Sequence, residues 1–301
     1  MLPPVVIGID TGNSCIKTAN NVFVSGIVKN KQPFIVQNNT LFYNGYYYQL
    51  SDKRLKYMID KSINDDYFAL SLFAIGKEFE ARHIPIDQGV IEVKLGIGLP
   101  PEHMSRYGHD LKRCFNRGRV EFTYNNHKIC IAIRSVNVFP QGYSAIAPYF
   151  ETVKKYSESF IIDIGGYTTD VLRLNRGVLQ ADTILSLDHG TIHLYQDIDK
   201  TLFNALGKHI PESIINDVLL YNKQSIAGKT ELVDEVHDCV QRFGEKLIAM
   251  LVERGIDLSI STGIFAGGGS VMLEPYLKNL GEHMFIIDVC ANAKGYEMMI
   301  A

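Results

Sequence analysis

The chain has 301 residues, 46% of them hydrophobic and 21% charged, ordinary values for a globular protein of about two domains that exclude a mainly disordered chain. A formal net charge of −3 argues against a broad basic surface for nucleic acid and leaves room only for a local basic patch. Five scattered cysteines (Cys15, Cys114, Cys130, Cys239, Cys290) form no CxxC pair, the opening MLPPVVIGID has no basic leader, and no apolar run is long enough for a membrane span, so a cytoplasmic protein with reduced thiols is expected.

Val5–Asp10 (VVIGID) is a short run rich in β-branched residues. It predicts a buried strand, followed by a TGNS turn and a return strand in CIKTANNVFVSGIVK. Residues 34–84 read as an insertion with a hairpin around NGYYYQL and a helix in FALSLFAIGKEFEARH. Val90–Leu99 reads as a core strand stopped by Pro100-Pro101, then Glu102–Phe115 as a helix and Lys128–Val138 as an alternating strand. Gln141–Lys155 is expected to be a helix interrupted or kinked by Pro148. Phe160–Asp163 (FIID) and IGGYTTDVLRLNRGVLQAD repeat the grammar of the N terminus: strand, Asp at its end, Gly-rich turn, hydroxyl residues, return strand. Asp10 aligns with Asp163, Gly12 with Gly165 and Ser14 with Tyr167, as in a duplicated domain. Thr191–Leu206 and Leu232–Arg254 carry helical apolar spacing, and Leu258–Ala266 is a further apolar strand ending in Gly267-Gly268-Gly269. This order of strands and helices indicates an α/β architecture of two layered domains.

A carboxylate at the end of a buried strand, followed by glycine and hydroxyl residues, suits a nucleotide phosphate. Turn amides bind oxygens where glycine lets the backbone approach, and the Asp reaches Mg²⁺ through water. One D-x-G-x-[ST] turn is common in plain hairpins; two in matching order can clamp a phosphate chain from both sides.

These segments resemble the actin, heat-shock chaperone and sugar-kinase superfamily. IGIDTGNSCIK is similar to its first phosphate motif, IIDIGGYTTDV to its second, and Phe265–Leu277 (FAGGGSVMLEPYL) to its adenosine motif. PQGYSAIA (Pro140–Ala147) and ANAKGYEMMI (Ala291–Ile300) resemble its two connecting helices. Within the superfamily, the length, the second motif and the ending look most like the ParM/StbA family of plasmid-segregating bacterial actins, with archaeal actin-like proteins also similar. The resemblance implies an actin-like ATPase fold: two duplicated ribonuclease-H-like domains around a nucleotide cleft, each with a small inserted subdomain. The first would be residues 1–158, with 34–84 inserted. The second would be 159–301, with a small subdomain at 187–254 and a C-terminal helix, 291–301, packing back on the first domain.

The resemblance also implies roles. Asp10 and Asp163 would face Mg²⁺ and water. Thr11, Gly12, Asn13 and Ser14 would wrap the β-phosphate, with Lys17 reaching in as a point charge. Gly165, Gly166, Tyr167 and Thr168 would close the γ-phosphate side, the Tyr167 side chain pointing away. Gly190 would approach the nucleotide, and Gly267, Gly268 and Gly269 would pass beneath the adenosine. Gln141, where plasmid-segregating actins often carry Glu, would begin its connecting helix and orient the attacking water. The cofactors would be ATP and Mg²⁺. The partners would be further copies of the chain in a head-to-tail filament and a DNA-bound adaptor, with no direct nucleic-acid or membrane contact. The alternatives are a small-molecule kinase or a non-polymerising regulatory ATPase of the same superfamily.

Plainer readings stand beside these. Asp188, His189 and His193 most simply mark a helix start rather than a metal site. Lys112, Arg113, Arg117 and Arg119 read first as a solvated face and second as a filament contact. Tyr46–Tyr48 suits a strand over a small core or an intersubunit contact. Asp170 is equally a structural or a functional carboxylate, and Cys15 a small buried hydrophobe.

Overall fold

The computed structural model describes residues 3–36, 38–86, 89–278 and 281–300. The chain forms two compact units, Met1–Glu151 with Cys290–Ala301, and Thr152–Val289. The division falls a few residues before the expected 158/159, and residue 301 of the expected C-terminal helix lies outside the described residues.

The first unit runs β1 (Val5–Thr11), β2 (Cys15–Lys17), β3 (Val22–Val24), β4 (Ile27–Asn30), β5 (Thr40–Tyr43), β6 (Tyr46–Leu50), α1 (Asp66–Ala81), β7 (Val90–Leu99), α2 (Met104–Phe115), β8 (Arg119–Tyr124) and β9 (His127–Pro140). All nine strands join one sheet in the order β3-β2-β1-β7-β9-β8-β5-β6-β4. β1, β7 and β9 are mutually parallel, and their apolar runs (Ile7, Ile9, Leu95, Ile97) are fully buried, as central strands covered on both faces must be. Residues 34–84 supply the β5–β6 hairpin and α1. β5 pairs with β8, so the hairpin extends the sheet, and α1 packs against β1, β2, β5 and β8. Its sequence is apolar almost all round because Tyr67–Gly76 is buried on every side.

One buried polar knot fixes the near end of this layer. The Glu78 carboxylate accepts from the Thr18 hydroxyl, from the Asn20 amide (2.9 Å) and from the Asn20 and Asn21 side chains, and pairs with Arg82 (2.6 Å). Burial pushes its pKa up, but these donors outweigh burial and hold the carboxyl below the ordinary range.

The helix expected over 141–155 is replaced by three pieces. β9 runs on to Pro140, a turn follows, and then come a 3₁₀ segment, Ser144–Tyr149, and the short α3 (Phe150–Val153). Gly142 sits at φ +72° and Pro148 offers no amide, so an α-helix cannot propagate from Gln141.

The second unit runs β10 (Glu158–Ile164), β11 (Thr169–Asn175), β12 (Val178–Leu179), β13 (Leu185–Leu187), α4 (Thr191–Leu206), α5 (Glu212–Tyr221), α6 (Glu231–Glu253), β14 (Thr262–Ala266), α7 (Gly268–Leu277) and β15 (Met284–Phe285). Its sheet order is β12-β11-β10-β14-β15, with β13 on β11. β14 begins at Thr262 rather than at Leu258, because Asp257 organises the preceding residues as a turn. Its carboxylate accepts the Ser259 amide (2.9 Å) and its carbonyl the Ser261 hydroxyl (2.7 Å). The last helix, α8 (Ala291–Ile300), groups with the first unit and packs on β1 and β7. A Cβ on Gly8 would stand 1.9 Å from the Ala293 carbonyl oxygen, so this contact exists only with glycine there.

Candidate functional site

β1 and β10 each end in a buried aspartate, 3% exposed at Asp10 and 8% at Asp163. Both run into antiparallel hairpins of the same register: Asp10 pairs with Lys17, and Asp163 with Asp170. Each aspartate thus faces the residue seven positions on, and each hairpin strand lies beside a parallel neighbour, β7 or β14. The duplication legible in the sequence is a duplication of geometry.

The first turn is anchored from behind. The Gly12 carbonyl accepts the Ser25 hydroxyl (2.6 Å), and the Ser14 carbonyl accepts the Ser25 amide (3.1 Å). In a planar trans peptide the next N–H points the opposite way, so the Asn13 and Cys15 amides face away from Ser25. The Asn13 side chain is committed to the fold, its Oδ1 accepting the Met58 amide (3.3 Å) and the Tyr67 hydroxyl (2.8 Å). With Oδ1 taken by the fold, the Asn13 backbone amide is a donor that the turn offers to a ligand. Gln141 Nε2 donates to Asp10 Oδ1 at 2.6 Å, and Lys17 Nζ lies 3.8 Å from Asp10 Oδ2. The structure thus brings Gln141 to Asp10 from a turn after β9, rather than from the start of a helix.

The second turn uses the same device with different backing. Gly165 N–H donates to the Thr168 carbonyl (2.9 Å), while the Gly165 and Gly166 carbonyls accept the Thr191 (3.0 Å) and Ile192 (2.8 Å) amides at the start of α4. The Gly166 and Tyr167 amides are thereby turned outward. Gly190 has a packing role of its own. A Cβ there would stand 2.4 Å from the Gly166 carbonyl oxygen, so its smallness serves the packing of α4 behind the turn. Asp170 is buried and accepts from the Ser186 hydroxyl (2.5 Å), tying β11 to β13.

The three glycines after β14 divide in role. Gly267 sits at φ +83°, and a Cβ there would stand 2.3 Å from Asp163 Oδ1; one on Gly269 would stand 2.2 Å from Ile164 Cγ2. Both are therefore required by the close approach of β10, independently of any ligand. A Cβ on Gly268 meets nothing within 4 Å, so Gly268 alone borders open space.

Two protein-family profiles match the chain: the actin-like protein N-terminal domain over residues 8–143, and the C-terminal domain of archaeal MreB-like actin homologues over residues 161–279. The chain belongs to the actin-like proteins. A ParM filament from Clostridium botulinum is similar at 21% identity and TM-score 0.74, covering 99% of both chains. An archaeal actin homologue in complex with ADP is similar at 17% identity and TM-score 0.74, covering 98% of both. Bacillus thuringiensis ParM with AMPPNP is similar at 15% identity and TM-score 0.72, again covering 98% of both. A search of curated proteins found no match. No described helix of this actin-like chain is long and apolar enough to cross a membrane.

One residue that touches the first hairpin carried no sequence signal. Lys61, from the polar stretch before α1, is 3% exposed and donates from Nζ to the Thr11 carbonyl. Burial pushes its pKa down to about 8, against the opposing pull of Asp10. Among the described residues the buried Thr11 hydroxyl has no hydrogen-bond partner. His189 stacks on the Phe243 ring (3.9 Å), with Nε2 at 3.0 Å from the Phe243 carbonyl; burial lowers its pKa below the ordinary value. His193 Nδ1 accepts the Gly190 amide (3.3 Å), a helix-start contact. Of the basic stretch, Arg113 pairs with Asp110 (2.8 Å), Arg117 with Asp65 (2.6 Å) and Arg119 with Glu121 (3.0 Å). Tyr48 is buried in the first core, and Tyr46 carries Lys29 over its ring at 4.0 Å.

Proposed function

We propose that this actin-like chain binds ATP with Mg²⁺, assembles head to tail into filaments while nucleotide is bound, hydrolyses the ATP, and serves plasmid DNA segregation through a DNA-bound adaptor. The observation that carries the reading is the pair of hairpins in one register, each with a buried aspartate at its strand end and outward-turned amides. Such amide pairs in tight turns are anion sites.

The donor set fits Mg²⁺–nucleotide. Asp10 and Asp163 are hard oxygen donors suited to a hydrated Mg²⁺, the Asn13, Gly166 and Tyr167 amides to phosphate oxygens, and Lys17 to the phosphate charge. Bound Mg²⁺ would neutralise developing negative charge on the phosphates. Gln141, neutral and fixed on Asp10, positions water rather than removing its proton, which is sufficient for phosphoryl transfer. Filament disassembly follows loss of phosphate from the second hairpin, a change of order in a phosphate-held segment. Non-closing contacts between identical copies give a filament.

Gly268 tests the adenosine end. Gly268→Val places a branched side chain in open space, so the fold should hold and its melting temperature stay within a few degrees of the parent. Nucleotide affinity should fall by more than about tenfold, a loss on the order of 1.4 kcal/mol or greater. Normal affinity in the folded variant removes the adenosine assignment.

The function itself is tested by light scattering and electron microscopy of the purified chain with ATP and Mg²⁺. A rise in scattering with filaments on the grid supports the reading. A flat trace with ADP release that depends on a small phosphate acceptor favours a kinase, and a flat trace with acceptor-independent ADP release favours a regulatory ATPase.

A further inference from the structure

Residues 51–65 form a strap across the first hairpin. The Ser51 amide donates to the Gly26 carbonyl (2.9 Å) and the Leu55 amide to the Ser25 carbonyl (2.8 Å). The Met58 amide reaches Asn13 Oδ1 at 3.3 Å, and Lys61 Nζ reaches the Thr11 carbonyl. The strap therefore touches the turn and the strand end that carry Asp10.

Lys61 is an expensive way to make the last of these contacts. A buried ammonium loses its hydration, and one carbonyl does not offset a full charge. A neutral donor would satisfy the Thr11 carbonyl without that desolvation cost. The ammonium has three donors, and Thr11 takes one. Tyr67 presents its ring 5.2 Å away, and the Asp10 charge acts on Lys61 through space.

We propose that Lys61 is a phosphate-charge residue: its ammonium, held on the Thr11 carbonyl beside Asp10, supplies positive charge to the phosphate chain of a bound nucleoside triphosphate and couples that charge to the strap. This assignment rests on the nucleotide reading above. It adds to Lys17 a second cation, delivered from a segment fifty residues away in sequence. Because a triphosphate carries more charge than a diphosphate, the loss of one cation falls more heavily on ATP than on ADP.

The test separates the charge from the tie. Lys61→Gln keeps a donor for Thr11 and removes the charge, while Lys61→Arg keeps the charge. Affinities for Mg²⁺–ATP and Mg²⁺–ADP are measured by titration, and the thermal shift on adding each nucleotide gives a readout independent of turnover. Without nucleotide, Lys61→Gln should melt no lower than the parent. Its affinity for ATP should fall roughly ten- to hundredfold, the range for losing a charged hydrogen bond, with a smaller loss for ADP. Lys61→Arg should keep the parent's preference for ATP. An unchanged ATP-to-ADP affinity ratio in Lys61→Gln overturns the assignment. So does a Lys61→Gln chain that fails to fold, or a Lys61→Arg chain that loses both nucleotides alike, since either makes the lysine purely structural. A parent that binds neither nucleotide removes the function itself and this residue's role with it; a parent that binds both while Lys61→Gln matches it removes Lys61 alone.

Discussion

Asp10→Ala is expected to weaken Mg²⁺–ATP binding by roughly 10- to 100-fold, the usual effect of losing a carboxylate that acts on a metal through its water shell. Two effects oppose each other at this position. The carboxylate accepts Gln141 Nε2 at 2.6 Å and faces Lys17 Nζ at 3.8 Å, so its removal releases positive charge that then attracts phosphate. Loss of the metal contact therefore shows as a loss of Mg²⁺ dependence rather than as a uniform fall in affinity. Titrations in Mg²⁺ and in EDTA should differ widely for the parent and little for Asp10→Ala. Asp163→Ala should behave in the same direction, because Asp163 occupies the equivalent register position in the second hairpin. Unchanged Mg²⁺ dependence in both variants would overturn the two-hairpin reading.

Gln141→Ala should bind nucleotide nearly as well as the parent and release phosphate roughly 10²–10⁴-fold more slowly, the range for a group that positions a reacting proton or water. The residue is fixed twice. Its Nε2 rests on Asp10, and its backbone N–H donates to the Leu99 carbonyl at 2.8 Å, so the turn holds its place when the amide is removed. The next residue's amide is also tied, Gly142 N–H donating to Asn292 Oδ1 at 2.9 Å. The substitution therefore removes a functional group with little change to the backbone. If filaments need nucleotide bound but not cleaved, Gln141→Ala filaments should form with ATP and outlast those of the parent. Phosphate release and light scattering followed on one sample check both halves. Fast turnover in the variant would give water positioning to another group, with Ser144 and Asp163 the next candidates. Slow turnover with no filaments in either protein would remove the cytoskeletal reading and leave the regulatory ATPase.

Several expectations changed for physical reasons that are local once seen. The helix from Gln141 failed on two residues, a left-handed Gly142 and an amide-less Pro148. Gly190, Gly267 and Gly269 read in sequence as room left for a ligand, and the fold gives each a second reason, room for the protein's own backbone or for Asp163 and Ile164. A glycine in a sequence says that something approaches closely; it does not say what. Asn13 reads as a phosphate ligand, but its side chain is held by Met58 and Tyr67, which belong to the strap and to α1.

The sequence by itself determined the two hairpins. A β-branched run ending in Asp, a short turn and a return strand are set by neighbouring residues, and their repetition fixes the internal symmetry. It also determined the core strand Val90–Leu99 and helix α1, which read as near-continuous apolar runs, and helices α4 and α6, each of which carries its period of burial within its own length. Tertiary structure alone decided what stands behind each turn and which charges are taken from water. Ser25 anchors one turn, and α4 anchors the other. Lys61 comes to rest on Thr11, fifty residues away, although a lysine in a polar stretch reads as solvated. Local propensity acts over a few residues, whereas the desolvation of a charge and the space left for a Cβ depend on atoms that only the folded chain brings together.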